Sequence, residues 1–219
     1  SEITCDRVLY HGLEQRFDLL ADEPTHTVVL RDPRLLAQGT HMWISPERGL
    51  GGFIASGSIA VSDDPTIPTN PSTIIPASAN AALALEDDDA QEDSATSLDI
   101  TWTEGVDIQF DPSDASDDPA IQSIVFKGDV DVVSPDGVFA SNWMRMNFAK
   151  DASGKAVPAR LLAKEQVRAH NEDQTIWADD LEVTFTVDET AQADASTDDS
   201  GSSTLIGEGT EVKDVFANG

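Results

Sequence analysis

Basic side chains are scarce in this chain: 219 residues carry 13 Lys and Arg against 41 Asp and Glu, a net charge of −28. A charge that large repels phosphate backbones and anionic headgroups, so nucleic acid or a membrane surface is not the expected partner. Cysteine is rarer still. The single Cys5 excludes an intrachain disulfide and any thiolate zinc cluster; within "ITCDRVLY" it reads as a small buried side chain on a strand. No run of about 18 apolar residues is present to span a bilayer. The chain starts at Ser1 without a charged-then-apolar leader, so export is expected only with a leader already removed or lying outside this sequence.

Cations and aromatics are also absent from particular stretches. No Lys or Arg occurs from Gly49 to Phe126, and after Arg168 only Lys213 remains. Residues 63–98 combine Pro65, Pro68, Pro71 and Pro76 with the run Glu86 to Asp89 and hold no aromatic residue. Such a composition buries too little surface to order itself, which predicts an acidic, Pro-rich flexible insertion with at most a short helical turn at "NAALALE". Residues 188–219 read as an acidic flexible tail, with a terminal strand expected within "TLIGEGTEVKDVF".

What is there alternates. Apolar side chains recur at every second position in Ile100/Trp102, Val106/Ile108/Phe110, Ile124/Phe126, Val130/Val132, Met144/Met146/Phe148 and Leu181/Val183/Phe185/Val187, with Asp107, Asp131, Arg145 and Glu182 between them. Period 2 means one dry and one wet face, the antiparallel arrangement. Outside the insertion no segment has a sustained helical period with caps. The predicted fold class is all-β and antiparallel.

Two segments repeat. At an offset of 37, Val130 matches Val167, Val132 matches Ala169, Phe139 matches Ile176, Met144 matches Leu181, Met146 matches Val183 and Phe148 matches Phe185. Each copy is strand, polar turn, strand, and such hairpins gain stability by pairing with the next. Alternation fixes a buried face and not its emptiness, so a closed sandwich core and an open groove both satisfy it. Of the four tryptophans, Trp102 falls in the apolar register, whereas Trp143 shares the polar face with Arg145 and Asn147 and is the candidate for an exposed contact; Trp43 and Trp177 are read with it as side chains able to stack on sugars.

No catalytic set emerges. His11, His26, His41 and His170 stand singly, without a partner at metal-ligand spacing, and no carboxylate pair is marked out among so many. "GLGGFIASG" lacks the following Lys or Ser/Thr of a phosphate loop and reads as a bend with a strand. "DPSDASDDP" at 111–119 lacks the spacing of a known calcium loop and reads as a solvated turn. The expectation is a non-enzymatic protein with no cofactor and no metal.

"SEITCDRVLYHG", "GGFIASGSIAV", "FKGDVDVVSPDGVFASNWMRMNF" and "AKEQVRAHNEDQTIWADDLEVTF" carry a resemblance to the OstA-like family of lipopolysaccharide-transport periplasmic proteins (LptA-like). Ile3, Thr4, Asp6, Arg7 and Tyr10 match the opening motif, Gly128, Val130 and Val132 the second element, and Ala178, Asp179 and Val183 the third. The resemblance covers 1–62 and 99–187. It implies one antiparallel sheet folded over as a jelly roll or taco, exported to the periplasm or outer envelope. Its apolar interior would bind or bridge a lipid such as lipopolysaccharide, and its edge strands would associate with themselves or with other transport components. The groove would be lined by Val130, Val132, Met144, Met146, Phe148, Val167, Leu181, Val183 and Phe185. The competing expectation is a structural or adhesive cell-surface β-sandwich whose acidic loops bind cations; a hydrolase with a hidden carboxylate pair is the weaker third.

Overall fold

The alternating segments pair with their neighbours in sequence. The computed structural model describes residues 2–32, 35–62, 97–111, 120–135, 137–151, 156–171, 174–187 and 210–219. Thirteen strands carry them: β1 (Glu2–Thr4), β2 (Arg7–His11), β3 (Arg16–Leu20), β4 (Val28–Asp32), β5 (Leu35–Ser45), β6 (Leu50–Ser62), β7 (Ser97–Trp102), β8 (Gly105–Phe110), β9 (Ile121–Ser134), β10 (Gly137–Lys150), β11 (Ala156–His170), β12 (Thr175–Val187) and β13 (Thr210–Asn218). All belong to one antiparallel sheet. The fold is all-β, and among the described residues the one helical turn is a 3-10 turn at Pro46–Arg48 between β5 and β6. Ser97 and Leu98 already belong to β7; residues 63–96, with the turn expected at "NAALALE", lie outside the described residues, as do 112–119 and 188–209. Cys5 falls between β1 and β2 rather than on a strand, half-buried against the core.

The order of pairing explains where the core sits. β5 pairs with β3 through its second half and with β4 through its first; β6 and β9 divide in the same way between β7 and β8. A seam of irregular backbone therefore runs across the sheet and separates two flanks. Along it lie the register shift at Gly39/His41 in β5, Ala55 (φ 68°) in β6, Gly128 (φ 72°) and Asp129 (φ 38°) in β9, the shift at Ser141/Trp143 in β10, and Glu165 (φ 61°) and Gln166 (φ 56°) in β11. Bulges of this kind bend a strand and increase its twist. Asp129 and Gln166 repeat at the same offset of 37 as the hairpins, and so do Gly128 and Glu165, so the repeat extends to backbone conformation.

Each flank carries an uninterrupted apolar row. On one, register partners run Val8, Leu19, Met42, Phe53, Val106, Phe126, Met144, Ala163, Leu181 and Ala217, from β2 to β13. On the other they run Ile3, Leu30, Ala37, Ile59, Ile100, Val132, Phe139, Ala169 and Ile176, from β1 to β12. Leu19, Met42, Phe53, Phe126 and Met144 from the first share one buried cluster with Ala37, Ile59 and Val132 from the second. The bend at the seam thus lets two rows of one sheet bury each other.

Trp102 pins the seam. Its side chain is 2% exposed, lies between the rings of Phe53 and Phe126 with centroids 5.7 Å from each, and donates its indole N–H to the Ala55 carbonyl at 2.9 Å. The indole covers Gly57, where a Cβ would sit 2.5 Å from the ring, so glycine is required there. Backbone groups released by the irregularity find partners: Ala55 N donates to Glu104 O, Thr103 N to Gly128 O and Glu104 N to Lys127 O. That accounting matters because a buried unpaired peptide group is costly.

Candidate functional site

The nine residues expected to line a groove all fall on the apolar face of β9–β12, but they do not form one open surface. Val130, Val132, Met144, Val167, Leu181 and Phe185 are buried. The first three belong to the main cluster with Phe53, Trp102 and Phe126, and Val167 and Leu181 to a smaller one with Ala163 that Phe139 and Leu161 link to it. Met146, Phe148 and Val183 are half-buried.

The distribution follows from where cover ends. Next to the buried row runs a second one on the same face, Ile108, Ile124, Met146, Leu161, Val183 and Val215 in register. Its β8–β9 end packs against the main cluster. Among the described residues the opposite flank stops at β12, whereas this one continues into β13, so the row opens towards β13. Val215 is 53% exposed and Val212, the register partner of Phe185, 54%. Sequence reasoning missed Val212 and Val215; their alternation in "TEVKDVF" is broken by the shift between Thr184 and Phe185.

A second constellation lies on the outer face near the chain's start. Asp18 on β3 is buried, yet its carboxylate accepts from Arg16 Nε (2.7 Å), with Arg16 Nη2 (2.6 Å) and His11 Nε2 (2.7 Å) at ion-pair distance. His41 Nε2 approaches the same carboxylate at 3.2 Å, out of line for a hydrogen bond. Arg16 also stacks over Trp43, 5.1 Å from the ring centroid. Burial pushes the Asp18 carboxyl up, but the Arg16 hydrogen bond and the positive charge beside it outweigh that and hold the group below its ordinary 3.8. The histidines that stand singly in sequence are thus gathered by pairing, His11 opposite Arg16 on β2–β3 and His41 on β5.

The sign of that shift sets an acid dependence. A depressed carboxylate contributes stability that is present above pH 3.8 and lost as pH falls through its lower folded value. The melting temperature is therefore expected to fall between pH 4 and pH 2 more steeply in the native chain than in Asp18→Asn. Parallel pH profiles would contradict this role for Asp18.

Residues quoted for the opening motif have local structural work. Asp6 accepts from Asp22 N at 2.9 Å and bonds His26 Nδ1 at 2.8 Å, and Arg7 pairs with Asp22 at 2.8 Å, clasping the β1–β2 corner to the β3–β4 connection. Among the described residues no group of three His, Cys, Asp or Glu side chains is arranged to hold a metal ion, and no helix is long and apolar enough to cross a membrane. No family model, curated protein or solved structure matches the chain.

Proposed function

We propose that this chain is a non-enzymatic lipid-holding or lipid-bridging domain of the cell envelope, in which an acyl chain lies on the apolar face of β10–β13. One observation carries this reading: the row through Met146 and Val183 passes from half-buried side chains to the exposed Val215, with Val212 beside it. Acyl methylenes placed there gain about 0.8 kcal/mol each on leaving water, and the face is continuous with a folded core that keeps it in shape. The buried end, at Val130, Val132 and Met144, then serves as the closed wall rather than as the binding surface. A jelly-roll or taco form and a cargo such as lipopolysaccharide belong to the same reading through the resemblance to OstA-like proteins.

The edges support the bridging part. Among the described residues β13 pairs only with β12, β1 only with β4 and β2 only with β3, which leaves edges where a further strand could add. Association of the chain with itself or with other envelope components through these edges is part of the proposal.

Protein purified from a host with a lipid-rich envelope is expected to retain acyl lipid in native mass spectra, and Met146→Asp or Val183→Asp to release it without unfolding. Folded native protein devoid of lipid, or variants that retain it unchanged, would reject the reading.

A further inference from the structure

Among the described residues, three cations on the outer face of β10 and β11 have no carboxylate partner, in a chain where acids outnumber bases 41 to 13. Among the described residues no Asp or Glu lies within ion-pair distance of Arg145, Lys164 or Arg168, although Asp180 is the register partner of Lys164. The neighbouring Lys127 and Arg160 are neutralised by Asp107 and Glu182. The three instead accompany indoles and an amide. Lys164 lies over Trp143 at 5.8 Å, Arg168 over Trp177 at 4.9 Å, and Arg145 donates to Asn147 Oδ1 at 2.9 Å.

All sit on one face. Trp143 is paired with Lys164 and Arg168 with Trp177 across neighbouring strands, and each is adjacent in sequence to an inward side chain: Met144, Ala163, Val167 or Ala178. Between the two pairs β11 takes Glu165 and Gln166 through the left-handed region, a conformation that costs roughly 1–3 kcal/mol per residue and persists only where its surroundings impose it. Bulges re-aim side chains, and this one sets the spacing between Lys164 and Arg168. Trp177 is 69% exposed, so one face of its indole rests against Arg168 and the rest meets water.

We infer that this outer face binds an acidic polysaccharide, with pyranose rings laid on Trp177 and Trp143 and the carboxylates of the sugar on Arg168, Lys164 and Arg145. A flat indole presents an apolar surface to sugar C–H groups while its cation supplies the charge complement. An acidic peptide would be served by the guanidinium and ammonium groups alone, leaving the exposed Trp177 indole unexplained. The net charge of −28 does not forbid the contact, because at about 0.15 M ionic strength charges farther than about 8 Å are largely screened and the local face decides. The inference stands independently of the acyl-chain reading, which concerns the opposite face.

Titration calorimetry of the full chain at about that ionic strength, with alginate, dextran and poly-glutamate oligomers as probes, tests it. Alginate is expected to bind at least about tenfold more tightly than either other probe, and Trp177→Ala and Arg168→Gln each to weaken it about tenfold at unchanged melting temperature. Both positions are exposed, so the variants fold. Absent alginate binding, equal binding of dextran or of poly-glutamate, or variants that bind as the native chain does would each overturn the inference.

Discussion

Trp102→Ala is expected to lower the unfolding free energy by about 3–5 kcal/mol, the range for emptying a buried large aromatic site. The reason is positional as well as volumetric. The indole touches Phe53 on β6 and Phe126 on β9, so its loss loosens the two flanks where they turn towards each other. It also leaves the Ala55 carbonyl without its donor. Trp102→Phe separates the effects: it keeps a ring but forfeits the N–H, and should cost about 0.5–1.5 kcal/mol, the net worth of one hydrogen bond to the exposed Ala55. Urea denaturation followed by circular dichroism measures both. Midpoints indistinguishable from the native chain would show that the seam does not depend on this side chain.

The second large effect contrasts two aspartates on one face. Met144→Asp places a carboxylate in the middle of the main cluster, where losing the methionine costs about 2–5 kcal/mol and an uncompensated charge several more. Together these rival the roughly 5–15 kcal/mol that holds an ordinary domain together, so the variant should be unfolded at neutral pH. Val183→Asp, two strands away and half-buried beside the exposed Val215, can turn its carboxylate to water. It should cost about 1–2 kcal/mol and remain a folded β protein. Far-ultraviolet circular dichroism of the pair decides the matter, since unfolding of both would mean that the face is sealed as far as β12, and the acyl-chain proposal would lose its surface.

Several features of the fold were legible because they are local. Met144, Met146 and Phe148 alternate with Trp143, Arg145 and Asn147, and that period alone assigns a dry face and a wet one. Trp102 was legible as core through the same register, and it is buried. Trp143 was the expected exposed contact, but Lys164 lies over it and Trp177 is the more open indole. Nothing in the residues around Trp177 signals this, since its exposure depends on its place near the sheet's end.

The Asp18 constellation was not legible for a related reason. His11, Arg16, Asp18 and His41 are scattered over thirty positions and meet only because β2, β3 and β5 pair in one register. The seam was equally hidden: Glu165 and Gln166 are not residues that ordinarily enter the left-handed region, so only their correspondence with Gly128 and Asp129 at the repeat offset links them to a bend.

By itself, the amino-acid order determined that this chain is built of antiparallel strands, which side chains share a face, and that two hairpins are copies, because period and turn chemistry act within a few residues. The tertiary structure alone decided which part of the apolar face is closed and which is open. That outcome rests on a bend that brings one flank over the other and on the point where the shorter flank ends, neither of which any short stretch encodes.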